Sequence, residues 1–279
     1  MGILTNLKKT LEAAVKIEKI IVDSYFFNDN QRGTVTFLHK NKWDSDWKIQ
    51  MAYRAIAFDL DDTLIDTTNE LIPLACRKIH TYLVSQGYIA DFKDFERLRK
   101  EFVKTRSHKE FFKSIAPSLI NEQNKSDLLP TMNRYFYEPD IPVNLQMLAG
   151  AEENLNALSG RYQLFIVTAG VLSAQKRKLA QLKIDRFVKP DNILIVADGA
   201  YLTKKAAFEK IISNSQIKPE ELLAIGNRLS QEIRMAKQLN GHTCYFKFGE
   251  HADDSPQDKF EMPDYTIYSH KELIKVCQL

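Results

Sequence analysis

The stretch Arg54-Ala-Ile-Ala-Phe-Asp-Leu-Asp-Asp-Thr-Leu64 runs an apolar, strand-like segment straight into three carboxylates, Asp59, Asp61 and Asp62. Like charges gathered at a strand end are costly unless a cation compensates them. Hard oxygen donors suit magnesium, which takes one or two carboxylates and fills its shell with water and substrate phosphate. A carboxylate held beside such an ion can attack phosphorus, and a second one two residues on can supply and remove protons. Asp62 reads differently, as a local cap on the turn that follows.

Working outward, short β-branched and apolar runs alternate with helical patterns from Tyr53 to the end of the chain. That alternation is the signature of a parallel sheet covered on both faces, a Rossmann-like three-layer α/β/α core. The strands are expected at Ala55–Asp59, Gln163–Thr168, Asn192–Val196, Leu222–Gly226, Thr243–Phe246 and Tyr265–Tyr268. Helices are expected near Glu152–Leu158 and Lys204–Ser213, the first with acidic residues in its opening turn and Gly160 at its end.

Residues 67–149 break the rhythm and read as amphipathic helices alone. Leu71, Leu74, Ala75, Ile79, Tyr82 and Leu83 keep helical spacing, as do Phe92, Phe95, Leu98 and Phe102. An all-helical insert between the first strand and the rest belongs over the carboxyl edge of the sheet, where open α/β sheets bind ligands. The expected division is therefore a core of residues 53–66 and 150–279, a helical cap of 67–149, and an N-terminal extension of 1–52. In the extension Leu4, Leu7, Leu11, Val15 and Ile20 suggest a helix, and Gly33–Leu38 a strand or hairpin arm. With both tryptophans, Trp43 and Trp47, it is expected to pack on its own core or on a partner, through self-association or another protein.

Composition narrows the function classes. The chain has 279 residues, with 39 Lys and Arg against 36 Asp and Glu, so its net charge of +3 does not make nucleic-acid binding the default. Ten Gly and nine Pro exclude a low-complexity chain. Cys76, Cys244 and Cys277 have no CxxC spacing, and the six His show no metal-ligand spacing. The thiols fit a reducing, cytoplasmic setting. No apolar run reaches a membrane span, there is no signal-peptide pattern, and Asn6 stands where an N-myristoylation motif has Ser or Thr.

Asp59-Leu-Asp-Asp-Thr-Leu64 resembles the first motif of the haloacid dehalogenase superfamily, and three further stretches are similar to its other motifs in order. Leu164–Gly170 resembles the second motif, which implies that Thr168 and Ala169 bind the transferring phosphoryl group. Thr203–Phe208 resembles the third, with Lys204 preferred over Lys205 because the Lys-x-x-x-Phe spacing to Phe208 fits better; this lysine neutralises the nucleophile and phosphoryl oxygens. Leu222–Ile233 resembles the fourth but departs from it, carrying Asn227 and Glu232 where the family usually has aspartates. The resemblance implies a metal site of Asp59, the Asp61 backbone carbonyl, Asn227, and Glu232 through water, holding Mg2+ more weakly than an all-aspartate set. It covers Tyr53 to Leu279 and not the extension.

Asp61, two residues after the nucleophile, is typical of phosphatases and phosphomutases in this family. The resemblance thus implies a magnesium-dependent phosphatase acting on a small phosphorylated metabolite, in which Asp59 is the nucleophile and Asp61 the acid and base. The alternatives are a catalytically weakened binding protein, motivated by Asn227 and the extension, and a phosphomutase with the same residues. In the cap, Lys93–Lys113 holds eight basic residues against four acidic. Lys104, Arg106 and His108 either face the cleft and attract an anionic substrate or belong to a solvated helix face.

Overall fold

Ala55–Phe58 is buried along its whole length, as a strand covered on both faces must be. The computed structural model describes residues 53–120, 124, 126–197 and 203–279. The segment 1–52, with its expected helix, strand and partner surface, lies outside the described residues. The strands are β1 (Ala55–Phe58), β2 (Gln163–Ala169), β3 (Ile193–Val196), β4 (Leu222–Gly226), β5 (His242–Phe246) and β6 (Tyr265–Ile267). Each lies within one residue of the run that predicts it. All pairings are parallel, in the order β3-β2-β1-β4-β5-β6. The strand order therefore reverses at the β1/β4 junction, and a crevice at such a reversal is where ligands enter this class of sheet.

Between β1 and β2 the chain forms α1 (Ile72–Ser85), α2 (Phe92–Val103), α3 (His108–Ile115) and α4 (Leu128–Tyr137). These helices gather their own apolar cluster, which includes Ile79, Leu83, Phe95, Phe112 and Met132. Their starts are fixed by side chains: Asp91 accepts from Asp94 N, and Ser107 and Glu110 cap each other reciprocally. The buried stripe is narrower than the sequence period suggests, since Leu74 and Leu98 are exposed.

The remaining helices are α5 (Ala151–Ser159), α6 (Leu172–Gln181), α7 (Lys204–Ser215), α8 (Arg234–Lys237) and α9 (His270–Val276). Alternation along β1 sorts them into two layers. Ile56 and Phe58 share a cluster with Leu155, Leu179 and Leu273, whereas Ala55 and Ala57 share one with Ala207, Phe208 and Ala236. Tyr53–Leu279 forms one compact unit. Among the described residues, no helix is long and apolar enough to cross a membrane.

The helical block meets the core through a buried guanidinium. Arg99 of α2 is only 1% exposed and pairs with Glu96 (2.9 Å) and with Glu250 (2.6 Å) in the loop after β5. The Glu250 backbone N–H donates to Thr68 Oγ1 at the foot of the block (3.0 Å). Removing one partner of a buried pair leaves its counter-charges uncompensated. Arg99→Met is therefore expected to cost about 3–5 kcal/mol in urea unfolding. Burial alone would push the Glu250 carboxyl up, but His108 and Arg99 outweigh it and hold the group at about 2. The native state then binds fewer protons than the unfolded chain, so this stabilisation is complete above the ordinary glutamate range and is lost as pH falls toward 2. The thermal midpoint should drop over that acid window, and Glu250→Gln should flatten part of the drop. An unchanged slope in that variant would refute the assignment.

Candidate active site

The carboxyl edge of the sheet collects the residues that the sequence singles out. Asp59 follows β1 directly, and its backbone N–H donates to the Ile225 carbonyl of β4 (2.9 Å). Asn227 follows β4, Thr168 and Ala169 close β2, and Lys204 is the first residue of α7. Asp59, Asp61, Ala169, Lys204 and Asn227 line one cleft of about 370 Å³ between the sheet edge and the helical block. Thr168 does not line it; it is fully buried, and its hydroxyl has no partner among the described residues.

Lys204 is the centre of the arrangement. Its Nζ lies 2.7 Å from Asp59 Oδ1 and also contacts Glu232 Oε1, all three side chains being buried. Lys205 is only half-buried. Glu232 reaches this position on a wide π-helical turn, Leu229–Ile233, and its Oε2 accepts from the Arg228 backbone N–H (3.2 Å). Gly226 makes room for it, because a Cβ there would sit 2.4 Å from Glu232 Cγ. Glu232 does not line the cleft, so its first partner is Lys204 rather than solvent or a ligand in the cleft.

The charges do not balance. One ammonium serves two buried carboxylates. Burial pushes the Asp59 carboxyl up, Lys204 pulls it down, and the charges of Glu232 and Asp61 push it up again, so that it ends raised. Burial would lower Lys204, but Asp59 and Glu232 hold it above the ordinary lysine value. The site is one positive charge short.

Asp61 has a separate set of partners. Its Oδ1 accepts from Lys178 Nζ (2.6 Å) and Thr67 Oγ1, and its Oδ2 accepts from Gln175 Nε2 (2.8 Å). Burial acts to raise Asp61, but the Lys178 charge and the hydrogen bonds from Lys178, Thr67 and Gln175 outweigh it and keep the carboxyl below its usual range. Gln175 and Lys178 are not found by motif reading. Their sequence signal is two polar residues at i, i+3 placed with Ala174 and Leu179 on the buried face of α6. Asp62 also borders the cleft, but its carboxylate is tied into local structure, accepting from Thr68 N and Thr68 Oγ1 (both 2.7 Å). Gly249 (φ +72°) packs against it, and a Cβ there would lie 2.4 Å from the Asp62 carboxyl carbon.

The helical block supplies His108 to the cleft, stacked on Phe136 with ring centroids 4.3 Å apart. Neither Lys104 nor Arg106 lines the cleft, so of their two readings the solvated one holds. Lys104 is exposed and pairs with Glu101 (2.6 Å), while the Arg106 guanidinium lies over the Phe102 ring (5.2 Å). The cause is local: α2 ends at Val103 and α3 begins at His108, so both cations sit on the connecting turn. Phe136 and Tyr137 at the end of α4 form cleft wall that sequence reading missed.

The donors fit a hard divalent cation. Asp59 and Asn227 offer a carboxylate and an amide oxygen to the cleft, and Asp59 is under-neutralised by its own lysine. Among the described residues no three His, Cys, Asp or Glu side chains gather into a closed metal cage. A magnesium site needs no such group, because it uses one or two carboxylates and leaves other positions to water and phosphate.

Residues 53–240 match the family model of haloacid dehalogenase-like hydrolases. The chain is similar to a glyceraldehyde 3-phosphate phosphatase of Pyrococcus furiosus, 27% identical over 236 residues that cover 81% of this chain and 93% of the relative. A glyceraldehyde 3-phosphate phosphatase of Methanocaldococcus jannaschii is 23% identical, covering 81% and 97%. Among solved structures, Bacillus subtilis YfnB bound to magnesium aligns with a TM-score of 0.57 at 21% identity, over 80% of this chain and 97% of that one. The haloacid dehalogenase-like family protein SP0104 of Streptococcus pneumoniae aligns at 0.55 and 19%, over 80% and 98%. A family match across most of the chain, on a parallel sheet whose carboxyl edge carries all four motif segments, establishes that this chain belongs to the haloacid dehalogenase-like hydrolases.

Proposed function

We propose that the chain is a magnesium-dependent phosphatase that hydrolyses a small phosphorylated metabolite through an aspartyl-phosphate. The observation that carries this reading is Asp59 at the mouth of β1, held by Lys204 and facing a cleft in which a second carboxylate, Asp61, has its own partners. The names of the relatives, phosphatases of glyceraldehyde 3-phosphate, support a small phosphomonoester. So does a cleft near the lower end of the roughly 300–1,000 Å³ usual for ligand pockets. Buried free thiols at Cys76, Cys244 and Cys277 support a cytoplasmic setting.

In the first step an Asp59 oxygen attacks phosphorus and the ester P–O bond breaks, while Asp61 gives its proton to the leaving oxygen. The incoming phosphate adds negative charge beside Asp61 and so raises its affinity for that proton. In the second step Asp61 takes a proton from water, whose oxygen attacks phosphorus. The Asp59–phosphorus bond then breaks and inorganic phosphate leaves. Lys204, the Thr168 hydroxyl and the backbone at Ala169 hold the phosphoryl oxygens. Asp59, the Asp61 carbonyl and Asn227 would hold magnesium, which supplies charge compensation to the phosphoryl group, with Glu232 behind Lys204 in an outer position.

A panel of phosphomonoesters that includes glyceraldehyde 3-phosphate, assayed with magnesium, tests the reading directly. At least one ester should turn over, and Asp59→Asn should reduce kcat by at least about 10³-fold. No turnover above that variant for any ester would instead support a non-catalytic binding protein. Asn227→Asp adds a carboxylate to the donor set and should lower the magnesium concentration for half-maximal activity by roughly three- to tenfold. Isothermal calorimetry with magnesium alone should show the same tightening, and equal affinities would remove Asn227 from the donor set.

A further inference from the structure

Helix α6 buries two residues that a core helix normally excludes. Gln175 is 3% exposed and Lys178 is 6% exposed, beside the apolar Ala174 and Leu179. Burying a lysine or an amide is unfavourable unless its polar atoms are matched, so partner choice shows what the burial serves. Both side chains end on one carboxylate. Lys178 Nζ takes Asp61 Oδ1 (2.6 Å) and Gln175 Nε2 takes Asp61 Oδ2 (2.8 Å). The Gln175 amide is itself fixed, since the same Nε2 donates to the Ala169 carbonyl (2.8 Å) at the end of β2. Gly170 makes this approach feasible: its φ is +148°, and a Cβ would lie 2.8 Å from Gln175 Nε2. A glycine in a conformation disfavoured for other residues, a buried amide and a buried ammonium thus converge on Asp61.

We propose that Gln175 and Lys178 are positioning residues for proton transfer, a two-point clamp that fixes the plane of the Asp61 carboxyl against the leaving-group side of the cleft. A lone carboxyl on a strand-end turn rotates about its last torsion, which is broad for aspartate. Held by both oxygens from one rigid helix, it keeps one orientation, and small misplacements of an acid cost large factors in rate. The clamp rests on the hydrolase reading and adds to it a cause for the buried polar face of α6. Neither side chain acts on phosphorus; both act through Asp61.

The consequence is a dependence on the leaving group. An alkyl phosphate releases an alkoxide that needs its proton as the bond breaks, whereas p-nitrophenyl phosphate releases a stable phenolate that does not. Asp61 also activates water in the second step, which is common to both esters, so the difference is read in the first step: Lys178→Met and Gln175→Met should slow single-turnover release of the alcohol from an alkyl ester by about 10²-fold or more, slow single-turnover release of p-nitrophenolate by less than about fivefold, and leave KM for either within about threefold. Lys178→Arg should recover part of the alkyl-ester rate. Gln175→Met tests the same point should Lys178→Met fail to fold, because it removes no charge. Equal losses on the two esters, or losses confined to KM, would overturn the clamp while wild-type turnover left the hydrolase reading standing. If the wild type exceeds Asp59→Asn on neither these esters nor the wider panel, the hydrolase reading falls and takes the clamp with it.

Discussion

The Lys204 ammonium, shared between Asp59 and Glu232, is the interaction on which the rest of the site depends. It sits in an unfavourable place by two general criteria. It is buried, and it is the first residue of a helix, where the macrodipole favours anions. Two carboxylates reverse both penalties, and they come from different segments, Asp59 from the end of β1 and Glu232 from the turn after β4. The contact therefore ties α7 to both strands that flank the reversal of strand order. It also dictates backbone detail: Gly226 carries no side chain because Glu232 fills that space, and the chain widens into a π-helical turn to bring Glu232 there.

A second consequence is that the two carboxylates of the first motif are sorted by different lysines. Asp59 shares its lysine and is deeply buried, so its carboxyl is raised; Asp61 has Lys178 to itself, with Gln175 and Thr67 in support, and is lowered. Two residues of the same type, two positions apart, thus hold unlike proton affinities before any ligand arrives. The sorting follows from topology: β1 delivers both carboxylates, but Lys204 and Lys178 stand on helices packed on opposite faces of the sheet.

These facts also explain which parts were legible in the sequence. Strand positions were readable because a buried parallel strand must be apolar throughout, and Asp59 and Asp61 stood out as carboxylates at a strand end, whereas Thr168, Lys204, Asn227 and Glu232 were singled out only by the family resemblance. Gln175 and Lys178 were not, since they meet Asp61 across 114 and 117 residues and no local pattern encodes that contact. Lys104 and Arg106 stayed open between cleft and solvent for another reason. Helical period reports which face a residue occupies, but those two residues lie just past the last turn of α2, where the period stops applying. Leu74 and Leu98 show the same limit within a helix, because the insert is small and its apolar cluster covers only part of each apolar stripe.

The turn from Asp61 to Thr68 leads from the sheet into the helical block. Thr67 donates to Asp61, and Thr68 donates to Asp62 while its hydroxyl accepts from the Glu250 backbone. Glu250 in turn holds Arg99 of the helical block, and the neighbouring Gly249 packs on Asp62. A rigid displacement of α1 and α2 relative to the sheet therefore strains the 249–250 loop, the Thr68 bonds and the Thr67–Asp61 contact together, because each shares an atom or a neighbour with the next. By contrast, the hydrogen bonds from Lys178 and Gln175 to Asp61 come from α6, which packs on the sheet itself. Asp61 is thus held on one side by the core and on the other by the entry to the helical block.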